Sequence, residues 1–114
     1  MAIKQLDEDT AKQLQELQVL EQNMQQILIQ KQAFQIEINE TENALEELKK
    51  SSDEVYKIVG QVMVRSKKAD LDKDLKQRQE IIDLRLKNLE KQEQFLKEHL
   101  QKKRDDIMSK INAG

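Results

Sequence analysis

The chain has no cysteine, no proline and no tryptophan, a single histidine, and two glycines in 114 residues; aromatic side chains are 3% of it. Each absence removes a class of protein. Without cysteine there is no disulfide framework and no thiol nucleophile, and His99 alone cannot build a zinc site within one chain. Hydroxyls are scattered, so no nucleophile stands beside a base, and neither enzyme activity nor a cofactor is expected. No apolar run approaches the roughly 20 residues that span a bilayer. The opening MAIKQLDEDT is too polar and acidic for a signal peptide, so a cytoplasmic protein with no membrane partner is expected.

What is present points to long helices. Hydrophobic residues make up 37% and charged residues another 37%, too little apolar material for a round core. Glu, Gln, Lys, Leu, Ala and Arg lose little rotamer freedom in a helix, and no proline interrupts them. The expected class is a coiled coil. The formal net charge of −2 gives no overall field to gather nucleic acid or anionic lipid. The charge is unevenly divided: residues 1–50 hold 5 Lys against 10 acids, a net of −5, and the remainder carries +3, so the halves attract each other.

A heptad seam runs through Leu17, Leu20, Met24, Ile27, Lys31, Phe34, Ile38, Thr41, Leu45 and Leu48, with eight of ten positions apolar. A second seam passes through Leu75, Gln79, Ile82, Leu86, Leu89, Glu93, Leu96, Leu100, Lys103 and Ile107, with seven of ten apolar. Acids at 7–9 and at Asp70, Asp72 and Asp74 suit helix starts; Lys49, Lys50, Lys102, Lys103, Arg104 and Lys110 suit helix ends. The expected elements are helix one over 7–50 and helix two over 68–112.

Between them stands VYKIVGQVMV, Val55 to Val64. Val55, Ile58, Val59, Val62 and Met63 also fit helical spacing, so periodicity alone leaves one unbroken helix open. Three features favour a β-hairpin over 54–65: the run is rich in β-branched residues, it is centred on Gly60, and the seam changes register across it. A Gly60-Gln61 turn has glycine where a type II′ turn requires it. Alternation sends Val55, Lys57 and Val59 to one face and Tyr56 and Ile58 to the other, with Val62 and Val64 opposing Met63. Both faces are then largely apolar, and a lone two-stranded hairpin is marginal in water. It is expected to be an assembly element, completed by other chains, and it would turn the helices antiparallel so that the termini meet at the far tip.

Other motifs dissolve on inspection. Asp70-Leu71-Asp72-Lys73-Asp74 resembles the opening of a calcium loop, but Leu75 and Ile81 stand where glycine and the bidentate Glu are needed. Gly60 belongs to no phosphate-binding pattern. The basic run at 102–104 meets Asp105 and Asp106 at once, which reads as a helix C-terminus more than an RNA contact. Ala2, Ile3 and Leu6 near one end and Ile107, Met108 and Ile111 near the other would gather at the tip. There they either close the coil or form an adaptable apolar binding surface, for which methionine is well suited.

The segments INETENALEEL, EVYKIVGQVMVRSKKADLDKDL and LRLKNLEKQEQFLKEHL, in the order helix, single hairpin, helix, resemble the beta class of prefoldin subunits, a chaperone family of archaea and eukaryotes. The sharpest likeness lies in Tyr56-Lys57-Ile58-Val59-Gly60, Val62-Met63-Val64 and Leu89-Glu90-Lys91-Gln92-Glu93. It implies a hexamer of two alpha-class and four beta-class subunits whose hairpins form a β-barrel platform carrying long coiled coils. Such complexes bind non-native polypeptides at the coil tips without ATP and pass them to a group II chaperonin. On that reading Val55, Tyr56, Ile58, Val59, Gly60, Val62, Met63 and Val64 assemble the platform, and Ile3, Leu6, Ile107, Met108 and Ile111 contact substrate. Lys102, Lys103, Arg104, Asp105 and Asp106 are assigned to the chaperonin. The rival from another class is a scaffolding coiled coil, one continuous helix without clients.

Overall fold

The computed structural model describes residues 8–113. Its elements are helix α1 (Glu8–Lys50), strand β1 (Glu54–Val59), strand β2 (Val62–Lys67) and helix α2 (Lys68–Ala113). The hairpin excludes the single continuous helix. At 1.5 Å per residue, the 43 and 46 residues of the helices span roughly 65 and 70 Å. Glu8 and Asp9 open α1, and Lys49 and Lys50 close it, each sign matching the helix-end partial charge. Residue contacts divide the chain into two compact units. Gln32–Lys87 form the hairpin unit; the chain up to Lys31 and from Asn88 forms the terminal unit.

In the hairpin unit, β1 and β2 pair antiparallel from Glu54↔Lys67 to Val59↔Val62, leaving the two-residue turn Gly60-Gln61. Gly60 has φ of 63° and no other residue has positive φ, the pattern of a type II′ turn among the described residues. A Cβ at Gly60 would meet nothing within 4 Å, so conformation and not crowding requires glycine there. Strand β2 runs on through Arg65, Ser66 and Lys67, beyond the apolar stretch. The backbone ladder that pairs these residues is indifferent to side-chain polarity, and apolar spacing therefore understates its length.

The end of α1 is tied to the start of α2. The Ser51 hydroxyl donates to the Leu48 carbonyl at 2.8 Å, and the Lys68 ammonium donates to the Ser51 and Lys49 carbonyls at 3.0 and 3.4 Å. These carbonyls lack partners within the helix, and a cation beside them also offsets the negative end of the dipole. Lys68 thereby fixes where the chain leaves one helix and enters the next.

Burial follows the seams. Thr41, Leu45, Leu48, Val55 and Ile82 are buried in the hairpin unit, with Phe34, Ile38, Leu75, Gln79 and Leu86 half-buried. Thr41 satisfies its hydroxyl by donating to the Glu37 carbonyl at 2.8 Å. In the terminal unit Thr10, Leu89, Leu100 and Ile107 are buried and Leu17, Leu20, Met24, Ile27 and Leu96 half-buried. Among the described residues, no helix is long and apolar enough to cross a membrane.

Ile82 is the most enclosed of the buried apolar side chains, at 2% exposed. Ile82→Ala is expected to cost about 2–5 kcal/mol through lost burial and a residual cavity. The exposed neighbour Leu84, changed to Ala, is expected to stay within about 0.5 kcal/mol of the parent. Urea titration followed by far-ultraviolet circular dichroism compares the two.

Candidate functional site

The hairpin carries the chain's most continuous exposed apolar surface. Tyr56, Ile58, Val59, Val62, Met63 and Val64 are between 46% and 71% exposed, whereas Val55, at the base, is buried. The register puts Val55, Lys57, Val59, Val62 and Val64 on one face and Tyr56, Ile58 and Met63 on the other, as the alternation predicted. With only two strands in the sheet, each has one edge of unpaired backbone donors and acceptors. Charge is kept to the base, where Glu54 pairs with Arg65, and to Lys57, whose ammonium lies 4.0 Å from the Asp74 carboxylate. Gly60 supplies the reversal. The eight residues assigned to assembly thus occupy one hairpin.

Among the described residues of the terminal unit, ion pairs cross between the helices at Asp9–Lys110, Glu16–Lys103, Glu21–Arg104 at 3.2 Å and Lys31–Glu93 at 3.1 Å. From Asp9–Lys110 through Glu16–Lys103 to Lys31–Glu93 the numbers rise on α1 as they fall on α2, so the helices are antiparallel there. Lys31 and Glu93 are both seam positions and meet each other, which turns two apparent defects in the heptad pattern into one paired layer. Such a layer specifies register, because a slip would leave half-buried charges unpaired. Lys103, a third polar seam position, is answered by Glu16. The Lys103 ammonium, by hydrogen bond and by charge, holds the Glu16 carboxyl below the usual glutamate range. Gln13 departs from this pattern: its carbonyl oxygen is buried with no hydrogen-bonding partner among the described residues, a condition costing about 1–3 kcal/mol.

The residues assigned to substrate and chaperonin separate on this geometry. Ile107 is 4% exposed and closes the seam, while Met108 and Ile111 are 55% and 37% exposed. Lys103 and Arg104 are engaged by α1, whereas Lys102, Asp105 and Asp106 face solvent, Asp105 accepting from the Gln101 amide at 3.1 Å. Ile3 and Leu6 lie outside the described residues. His99 is exposed and stacked on Phe95, with ring centroids 6.3 Å apart. Among the described residues no group of His, Cys, Asp or Glu is arranged to hold a metal ion.

Sequence reasoning missed the individual ion pairs and the Lys68 bridge. The opposite net charge of the two halves signalled the former; nothing in the pattern of Lys67-Lys68 distinguished the latter. It also passed over Phe95, although a phenylalanine off the seam of a polar helix is itself a signal.

Two coiled-coil helices joined by one hairpin, apolar on both faces, define a class of hairpin-bearing coiled-coil subunits. The family model described as "Prefoldin subunit" matches residues 11–113, and the chain belongs to the prefoldin subunit family. It is 40% identical over 101 residues to prefoldin subunit beta of Methanothrix thermoacetophila, covering 87% of this chain and 84% of that protein. It is 38% identical over 99 residues to prefoldin subunit beta of Archaeoglobus fulgidus, covering 82% and 85%. The crystal structure of the prefoldin beta subunit from Thermococcus strain KS-1 matches with a TM-score of 0.83 and 33% identity, over 92% of this chain and 94% of that one. The resemblance to beta-class prefoldin is borne out, and with it the coarse assignment to a chaperone family.

The Glu16–Lys103 pair carries a pH dependence of known sign. A carboxyl whose pKa is depressed by folding contributes stability above its unfolded pKa and loses it as pH falls through the folded value. Because Glu16 is exposed, water and salt screen the effect. Glu16→Gln is therefore expected to lower the thermal midpoint slightly at pH 7 and low salt. The difference from the parent should close once the pH lies below the glutamate range; circular dichroism melts at both pH values check it.

Proposed function

We propose that this chain is a beta-class subunit of a cytoplasmic prefoldin hexamer of two alpha-class and four beta-class subunits. The complex holds non-native polypeptides without ATP or any cofactor and delivers them to a group II chaperonin. The observation that carries the reading is the hairpin of a prefoldin-family chain, with six large apolar side chains exposed over two faces and both strand edges open. Fully burying such a side chain contributes about 1.5–3 kcal/mol, so joining hairpins from several chains into one barrel is strongly favoured. Strand pairing also satisfies the open edges.

Holding is assigned to the helix ends, where Met108 and Ile111 offer exposed apolar surface and Ile107 supports them from the seam. Hydrophobic burial scales with area and is indifferent to sequence, which suits a protein that must accept many clients. A methionine thioether re-packs around different shapes. Each contact is weak, and several subunits in one complex raise the total through effective concentration. Ile3 and Leu6 belong to the same proposed surface. Since Lys103 and Arg104 are engaged within the chain, the chaperonin contact assigned to 102–106 is carried chiefly by Lys102, Asp105 and Asp106.

Suppression of aggregation of a refolding protein, measured by light scattering with an alpha-class partner present, tests the reading; no suppression would sink it. Val59→Asp is expected to abolish the hexamer on size-exclusion chromatography while leaving helical content unchanged, because Val59 is exposed in the single chain. Met108→Ser with Ile111→Ser is expected to weaken holding several-fold and leave the hexamer intact. Equal holding by that variant would confine these residues to closing the coil.

A further inference from the structure

The terminal unit has a feature that neither assembly nor the ends of the helices uses. On one side of its seam lie two adjoining hollows, with volumes of about 510 and 560 Å³. The first is bounded by Lys12, Val19, Leu20 and His99, the second by Ile27, Lys91, Phe95 and Leu96. The stacked Phe95–His99 pair stands where they meet, rings 9° from parallel, with Phe95 71% exposed. Along α1 the lining runs from Lys12 to Gln30, about five helical turns or roughly 27 Å. The walls are two helices whose backbone groups are bonded internally, so they offer an occupant no ladder of donors and acceptors. A segment lying there must satisfy its own backbone, which selects a helix over an extended strand.

The charge of the lining selects further. Lys12, Lys91 and Lys103 face the groove against a single carboxylate, Glu16, which Lys103 already neutralises. Glu98, the acid next to His99, is turned to the Gln94 amide at 3.1 Å. The rim is therefore cationic over a floor of Val19, Leu20, Ile27, Phe95 and Leu96.

We propose that this groove docks an amphipathic helix of a non-native polypeptide, one whose apolar stripe is flanked by acidic side chains. Phe95 and Val19 contact the stripe; Lys12 and Lys91 pair with the flanks. An exposed aromatic between two hollows is the kind of anchor that concentrates binding energy. The inference rests on the chaperone reading and adds to it a second client surface, along the sides of the helices and selective for charge.

The absence of tryptophan from the chain makes the test direct. Phe95→Trp places a single indole in the groove of the full chain, and circular dichroism verifies that it folds. The probes are two synthetic 20-residue helices with the same leucine stripe, one flanked by glutamates and one by lysines. The acidic probe is expected to give a saturable blue shift of the emission, and the basic probe none. Adding Lys12→Glu with Lys91→Glu should weaken the acidic probe at least tenfold and admit the basic one. A silent indole with both probes, equal affinity for both, or affinity unchanged by the charge reversal would overturn the proposal. So would a shift that appears with protein concentration alone, which would assign the groove to a second copy of the chain. The assembled parent complex is assayed in parallel for suppression of aggregation: a silent indole beside intact suppression removes the groove and leaves the chaperone reading standing.

Discussion

A pair of helices can bury only one stripe on each, and every side chain off that stripe must remain in water. Most features of the chain follow from this limit. Its hydrophobic residues are few because a seam needs no more, and the remaining surface is glutamine, glutamate and lysine. The seam alone does not distinguish one alignment of two such helices from another shifted by a heptad, so register needs further contacts. In the terminal unit it comes from polar positions: Lys31 opposite Glu93, Lys103 answered by Glu16, and flanking pairs at Asp9–Lys110 and Glu21–Arg104. Each exposed pair adds little stability. Together they penalise misalignment, since a shifted helix would bring charges against apolar seam positions.

The hairpin answers the same limit differently. Two strands cannot cover each other's faces, and here only Val55 is buried among the apolar residues of the hairpin. Apolar surface that a single chain leaves in water is a standing driving force for association. In the proposed complex that force is met by other hairpins, and at the groove proposed beside Phe95 it would be met transiently, by clients. Where the hairpin joins the helices, the Lys68 ammonium at the start of α2 donates to the Lys49 and Ser51 carbonyls at the end of α1.

Much of this was legible in advance, for identifiable reasons. All twenty expected seam positions are buried or half-buried, because a 3-4 spacing of apolar residues admits one solvent-free stripe on a helix. The hairpin announced itself through Gly60, the one position with positive φ among the described residues, and through valines whose branched side chains fit a pleated surface. The hairpin reads too short at 65 because Ser66 and Lys67 join the ladder through their backbones alone. Among the candidate site residues, the heptad spacing already put Ile107 on the seam and left Met108 and Ile111 off it, although the tip assignment grouped all three. The difference depends on which side of the last turns faces α1.

The linear order of residues determined the two helices, the stripe each helix buries and the apolar character of both hairpin faces, since these are periodicities of 3.5 or 2 along a single segment; it determined the reversal through Gly60 and the β-branched run beside it. Pairing across segments was decided only in three dimensions. Which acid meets which lysine, why Lys31 and Glu93 stand in an apolar seam, what closes α1, and where Phe95 and Val19 come to flank a common groove all depend on how residues distant in the chain line up. Local spacing carries no information about that alignment; the packed helices supply it.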